Sequence, residues 1–561
     1  MNWALRKKEY VLFSATVLIF VALHLFGVNL PYHQDEYKWV FYSHPELTLP
    51  GTVPHPPLTE FIYTRLGPVL GDNNFRFIPF AFGFVNLLLI FWLSKIIFNS
   101  TRSALWAVLL FTISYYSLLA SLMVDVDGAI MPFFLLVLSI GYFKLKASGW
   151  NDYRWMSLIF IGGIGGFLIK VSAILPLIAF ALDFAVEKNV FSDKKRLMKY
   201  VLFIVVAIVL LSLVLLLAKF VFPFFNLEYS MKYWEHFANS SSFFSRGWFQ
   251  TFIQVVKSTL YLSPLLLMPL FFMDREIFSK TRPFFIFVFA GLVFYIVVFD
   301  FSLGALDRYL QFLIIPLCII AGAIYSKYFA NVRLGKKSVI SLALVGVVVF
   351  FVQFIYQVTP PLYPKTEWLS RLLSLKWNFL YPFSGGSGPM AFYVSFAFIA
   401  LIWIFVVALV GLYWRRDGHK TLVLVGILIF GILYNGVFIE EYLSGQINGS
   451  SSALLHNAVT FIKNNKDIQK VTVYNDNGGF DIEQIGKYRK RLYIDPKFDV
   501  GQKIITLNQY KEHYLVIDIP HIDPSTVYAK YFSSCAVVYN EISKKISATV
   551  YDCRNAPDIK L

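Results

Sequence analysis

Thirteen apolar runs dominate this chain and leave it few ways to fold: 10–30, 77–98, 103–122, 128–146, 156–169, 172–186, 199–222, 252–272, 283–302, 308–329, 338–357, 391–413 and 420–440. Most are long enough for a helix to cross roughly 30 Å of hydrocarbon. Inside hydrocarbon a backbone must satisfy its own hydrogen bonds, which a helix does and an open strand does not. A mainly α, polytopic membrane protein of about 13 transmembrane helices follows. Composition agrees, since 57% hydrophobic against 15% charged residues leaves no polar shell for a soluble protein.

The formal charge of +16 would point a soluble domain toward nucleic acid. Here the basic residues fall instead in short clusters between the runs, which is a topology signal, so nucleic-acid binding is set aside. Arg6/Lys7/Lys8, Lys95/Arg102, Lys144/Lys146/Arg154, Lys194/Lys195/Arg196/Lys199, Arg275/Lys280/Arg282, Arg333/Lys336/Lys337 and Arg415/Arg416/Lys420 all fall on one side if the N-terminus is cytoplasmic. The first run lacks a small-residue cleavage site and reads as an uncleaved span. The stretch 156–186 is too long for one crossing, and both its flanks are basic. It reads as a hairpin of two short helices, loosened by Gly162, Gly163, Gly165 and Gly166, with Lys170 at its tip. The alternative is one tilted helix with a snorkelling lysine.

The opposite face then receives the loops 31–76, 223–251 and 358–390 and the chain after 440. Pro31 to Leu58 gathers Asp35 and Glu36 with His33, His44 and His55. Adjacent carboxylates at the mouth of a membrane helix must face water, a cation or a partner, or simply cap a helix N-terminus. The loop 223–251 adds Glu235 and His236 in an aromatic setting. His55, Glu235, His236, Asp35 and Glu36 supply nitrogen and oxygen ligands suited to a divalent metal such as Zn, Mg or Mn, and a histidine among aromatics is equally a packing residue. Asp125 and Asp127 form a second acidic site or, in the plainer reading, a helix cap by Asp127. Lys170 and Arg308 place cations on this face. A guanidinium suits a phosphate and a lysine serves as a point charge, with an Asp307 ion pair the alternative for Arg308.

After Glu440 the composition becomes that of a soluble α/β domain, giving a division at 1–440 and 441–561. Leu454, Leu455, Ala458, Val459 and Ile462 have helical spacing after a serine-rich start. Strand-like runs follow at Val471–Tyr474, Arg491–Ile494, Tyr514–Ile519, Ala536–Ile542 and Ile546–Tyr551. The turn NDNGGFD at 475–481 is a plain turn or a ligand cradle. Cys318 lies in a span. Cys535 and Cys553 flank the last two runs and are equidistant from Lys544, so a disulfide across a hairpin is open to them, as are two free thiols.

Several of these residues recur in one order. Asp35-Glu36-Tyr37, His55-Pro56-Pro57, Arg76-Phe77-Ile78-Pro79, GGFLIKVS at 165–172, WEHFANSSSF at 234–243 and RYLQFLIIP at 308–316 resemble the pattern of integral membrane glycosyltransferases of the GT-C fold. The branch resembled contains the lipid A aminoarabinose transferases and the protein O-mannosyltransferases, and the resemblance spans about 440 residues. It implies a polyprenyl-phosphate sugar donor and a lipid, glycan or protein acceptor. It also implies Asp35 as general base with Glu36 beside it, Lys170, Arg308 and Tyr309 at the donor phosphate, and His236 at a metal position. Where the aminoarabinose transferases carry a Glu-Lys pair before the proline, this chain has Pro54-His55, so one metal-ligand carboxylate is missing. The expectation is a cell-membrane glycosyl transferase whose C-terminal domain is extracytoplasmic. The rivals are a transporter or flippase of lipid-linked sugars and a non-catalytic scaffold, although no repeated halves of the transporter kind are visible.

Overall fold

The computed structural model describes residues 3–33, 35–44, 55–240, 247–298, 307–330, 336–361, 366–383, 390, 392–413, 416, 419–474, 476–492, 498–510, 512–519 and 522–560. The chain divides into two compact units. One comprises 1–29, 38–339 and 406–432; the other comprises 30–37, 340–405 and 433–561.

Among the described residues nine helices are long and apolar enough to cross a membrane: Lys8–Gly27, Asp72–Phe98, Ile130–Ala147, Lys194–Val221, Arg275–Val297, Tyr309–Tyr328, Lys336–Phe354, Phe396–Tyr413 and Lys420–Leu443. Two further pairs reach that length only together, Thr101–Ile113 with Tyr115–Leu122, bent by 69°, and Trp248–Tyr261 with Pro264–Phe272, bent by 85°. The runs 103–122 and 252–272 are therefore not the straight single spans expected. Ser114 breaks the first with extended backbone (φ −79°, ψ 122°). In the second, Leu262 and Ser263 are extended before Pro264, because a proline disfavours the helical region for the residue before it. The 391–413 run is also corrected, since Tyr393–Ser395 is a strand and the helix starts at Phe396.

The stretch 156–186 forms two helices, Met156–Ile169 and Ile174–Glu187, with Lys170 extended between them. A Cβ built on Gly166 would meet Ala173 at 3.2 Å and one on Gly163 would meet Leu177 at 3.2 Å. These pairs are placed symmetrically about Lys170, as a hairpin requires. Gly162 serves the other side: its Cβ would lie 2.4 Å from the Leu138 nitrogen, so the first helix packs on the backbone of Ile130–Ala147. The second helix is tied by Asp183, which is fully buried and takes Lys146 Nζ at 2.8 Å together with the Tyr142 hydroxyl and the Arg282 guanidinium.

The second unit holds a short antiparallel pair, β1 (Leu380–Pro382) and β2 (Tyr393–Ser395), and a five-stranded sheet. Its strands are β3 (Lys470–Tyr474), β4 (Tyr488–Leu492), β5 (His513–Asp518), β6 (Ala536–Ser543) and β7 (Ile546–Asp552), in the order β4-β3-β5-β7-β6. The β4–β3–β5 part is parallel, and β7 pairs antiparallel with both β5 and β6. The two-residue period of the strands sorts the core. Val471, Val473, Leu515 and Ile517 pack under the helix Ser451–Asn464, while Tyr474, Tyr514 and Val516 face Leu507, Tyr531 and Phe532 on the other side. β4 begins at Tyr488, earlier than the Arg491–Ile494 run anticipated, because Gly486 turns the chain (φ 74°) directly into pairing with β3.

Lys544 makes the β6–β7 turn with a positive φ of 58°. The two strands pair residue for residue until the register shifts between Val537 and Tyr539. That one-residue bulge brings Cys535 opposite Cys553, and the two form a disulfide with Cα atoms 4.6 Å apart.

Candidate functional site

The Asp35–Glu36 pair opens the short helix Asp35–Tyr42, where the helix dipole favours carboxylates. The two acids are not equivalent. Glu36 is fully buried, and its carboxylate accepts from the His33 backbone N–H at 3.2 Å while its own N–H donates to the His33 carbonyl at 3.0 Å. Glu36 thus closes the turn that leads into the helix. Asp35 is the more exposed of the two.

Tyr37, in the next position, is fixed from a distant part of the chain. Its buried hydroxyl donates to the carboxylate of Asp476, 439 residues away. Asp476 is itself 1% exposed, sits in a left-handed conformation (φ 62°), and accepts from Arg489 Nη1 at 3.1 Å, with Arg491 Nε at 3.8 Å. Arg489 lies over the Tyr37 ring at 5.2 Å and binds Glu483 at 2.8 Å. Tyr32 packs edge-on against Phe480. Burial, and then the Asp476 charge, push the Tyr37 hydroxyl well above the ordinary phenol range, so it remains a donor at any physiological pH. Asp476 and Phe480 of the turn are therefore engaged by the chain's own Asp35-bearing segment. Sequence reasoning missed this clasp, and only the Asn/Asp/Gly composition of the turn marked its position.

In the other unit, Lys170 at the hairpin tip forms an ion pair with Asp127, both side chains being largely buried, and its ammonium lies 5.2 Å from the centre of the Tyr309 ring. Asp127 is not the cap of the following helix. That helix runs Ile130–Ala147 with Ala129 at its cap, and two residues of slack let the carboxylate reach the lysine instead. Asp125 is buried, accepting from the Val126 N–H at 2.6 Å and from Trp39 Nε1 at 3.4 Å. Tyr309 lies in the 3-10 segment Asp307–Leu313 and packs against Tyr295. The structure thus brings together Lys170, Asp127 and Tyr309. The side chain of Arg308, and with it the alternative Asp307 pair, lies outside the described residues, as does that of His236. Arg76, from the resemblance motif, is fully buried and donates to the Leu122 carbonyl at 2.6 Å, closing the end of the bent helix Tyr115–Leu122.

Of the residues proposed for a metal, His236 has its side chain outside the described residues. His55 stacks on Trp39 and meets Tyr233 edge-on, with ring centres 6.4 and 6.3 Å away, and Glu235 is exposed. Among the described residues no three His, Cys, Asp or Glu side chains converge to hold an ion.

The chain matches ArnT from Cupriavidus metallidurans in the apo state with a TM-score of 0.53 at 14% identity, over 97% of this chain and 98% of that one. The same enzyme bound to undecaprenyl phosphate matches with a TM-score of 0.51 at 14% identity, over 96% and 97%. The chain has the ArnT fold. The GT-C architecture expected from the resemblance is therefore borne out along nearly the whole length. A sequence model of the family described as dolichyl-phosphate-mannose-protein mannosyltransferase matches residues 54–216, a shorter stretch than the 440 residues read from the motifs but one that includes Asp125, Asp127 and Lys170. No curated protein matches the chain.

Proposed function

We propose that this chain is a membrane glycosyltransferase that moves a sugar from a polyprenyl-phosphate donor to a lipid, glycan or protein acceptor. The observation that carries the reading is the match of residues 54–216 to a mannosyltransferase family, supported by the ArnT fold. Asp35 takes the proton of an acceptor hydroxyl, the acceptor oxygen attacks the anomeric carbon, and the anomeric carbon–phosphate oxygen bond breaks with its electron pair leaving on the polyprenyl phosphate. Lys170 and Arg308 neutralise the charge that grows on that phosphate. Because Lys170 is paired with Asp127, the donor phosphate competes with a carboxylate for the ammonium, and Asp127 keeps the lysine charged and oriented until the donor arrives. Tyr309 adds its ring face at 5.2 Å from the ammonium. No step is routed through a metal.

The reaction is assigned to the extracytoplasmic face, with the N-terminus cytoplasmic. Two observations support this: the basic clusters fall together on one side, and the C-terminal domain carries a disulfide, a bond that persists in oxidising compartments. The test is transfer of radiolabelled sugar from a polyprenyl-phosphate pool in membranes, comparing the parent with Asp35→Asn at matched expression. The expected result is loss of label on acceptor in the variant. Equal labelling removes Asp35 from the mechanism, and label that crosses the membrane without joining an acceptor would mark a transporter.

A further inference from the structure

The helix Trp248–Tyr261 is arranged inside out. Every residue it buries is polar or bears a hydroxyl, namely Thr251, Gln254, Lys257, Ser258 and Tyr261, whereas Phe249, Phe252 and Val256 on the same helix are exposed. The buried five recur at three- and four-residue spacings and so share a face. Apolar side chains on the outside need no explanation beside lipid. A buried polar stripe does, because a polar atom withdrawn from water without a partner is costly.

Three side chains of the stripe are not satisfied internally among the described residues. On the exposed side, Thr259 bonds back to the Val255 carbonyl at 2.8 Å, the usual recourse of a hydroxyl in a helix. Thr251 and Ser258 do not: their hydroxyls, and the Gln254 carbonyl oxygen, have no partner among the described residues. The helix packs against the 3-10 segment Asp307–Leu313. There Gln311 is buried at 8% exposure with both carboxamide atoms unpartnered among the described residues. Seven residues is long for a 3-10 run. At three residues per turn it sets Gln311 one turn on from position 308 and two residues from Tyr309, the ring beside Lys170.

We infer that this face is a subsite for a sugar ring. Carboxamides and hydroxyls both donate and accept, which matches the neighbouring hydroxyls of a hexose or pentose. An ionised phosphate chiefly accepts, and would leave the oxygens of Gln254 and Gln311 unanswered. Lys257, stacked over the Tyr261 ring at 5.6 Å, supplies one cation within the stripe. The ring belongs either to the lipid-linked donor or to a glycan acceptor. The inference rests on the transferase reading above, and the closeness of Gln311 to Tyr309 in sequence favours the donor.

The experiment uses the full chain in detergent, with Gln254→Leu and Gln311→Leu as variants and with undecaprenyl phosphate, bare or carrying a hexose or a pentose, as probes. Binding is read by thermal shift, and donor and acceptor KM are read by transfer. The parent binds the best sugar-bearing probe about five- to tenfold more tightly than bare undecaprenyl phosphate, the weight of one net hydrogen bond. Each variant loses that preference, keeps its affinity for bare undecaprenyl phosphate, and raises the donor KM by a similar factor. Its melting temperature without ligand is unchanged or higher, since each substitution removes a buried carboxamide oxygen that has no partner among the described residues. A rise in the acceptor KM alone assigns the same subsite to the acceptor's sugar. Variants that bind and turn over like the parent overturn the inference while leaving the transferase reading intact. A parent that neither prefers a sugar-bearing probe nor transfers sugar overturns both.

Discussion

Tyr37→Phe isolates the clasp between the Asp35 segment and the sheet. The substitution keeps the ring, and with it the Arg489 contact at 5.2 Å, and removes only the hydroxyl that donates to Asp476. Tyr37 is 3% exposed and Asp476 1%, so water has little access to replace the lost donor. A hydrogen bond to a charged group contributes about 1.5–3 kcal/mol. Asp476 retains Arg489 at 3.1 Å and Arg491 at 3.8 Å, which places the expected loss toward the lower half of that range. If about 2 kcal/mol of the docking energy of segment 30–37 is lost, the ratio of docked to undocked segment falls by a factor of about 30. Transfer at saturating donor should fall by up to that factor. Asp476→Asn should behave alike, and the double variant should cost less than the two singles together. The assay is initial-rate sugar transfer beside thermal unfolding of the same preparations. A Tyr37→Phe protein with kcat within twofold of the parent and an unchanged melting temperature would show that the clasp neither positions Asp35 nor stabilises the fold.

Burial raises Asp481 from 3.8 to about 6. The folded state therefore favours the protonated acid, and this stabilisation is full below the ordinary carboxylate value and lost as pH rises through about 6. The shift corresponds to roughly 3 kcal/mol; unfolding curves from pH 4 to 8 should show the parent weakening across that window and Asp481→Asn holding level, and parallel curves would contradict the assignment. Gly162→Leu drives a side chain into the Leu138 and Phe134 backbone, 2.4 and 2.6 Å from the new Cβ. It should cost about 3 kcal/mol or more and collapse the monodisperse peak on gel filtration, while Gly163→Ala, whose nearest neighbour is a Leu177 methyl at 3.2 Å, should be tolerated. His55→Phe keeps a ring beside Trp39 and Tyr233 and should retain transfer activity. A chelator-sensitive activity present in the parent and absent from this variant would instead make His55 a ligand.

The membrane spans were legible because an apolar run of twenty residues has essentially one fate. Their breaks were less so. Pro264 carried a signal for the 85° bend, but nothing in the composition around Ser114 distinguishes its extended backbone from one more turn of helix. Lys170 at a hairpin tip followed from flanking charge and glycine spacing. Its partner did not, since the Asp127 carboxylate lies 43 residues away and its sequence context is equally that of a cap. Tyr37 and Asp476 are a harder case, because each belongs to an ordinary local motif and only the tertiary fold joins them. The polar stripe of Trp248–Tyr261 misleads for the opposite reason. Amphipathic patterning assigns the apolar face to the core, whereas a helix beside lipid can present that face outward.

The bulge between Val537 and Tyr539 also bears on how the gene for this chain can vary. Sheet cores tolerate many substitutions provided that polarity alternates, and edge strands ordinarily tolerate small changes in length. Here β6 is at the edge of the sheet, yet the count of residues between Lys544 and Cys535 decides whether the two sulfur atoms meet across the hairpin. Gaining one residue between Cys535 and the bulge would leave every apolar side chain available and the turn intact, and would set Cys535 against Arg554 instead of Cys553. A one-codon insertion in this strand is therefore a change of covalent structure, whereas a point substitution at Val538 is only a change of surface.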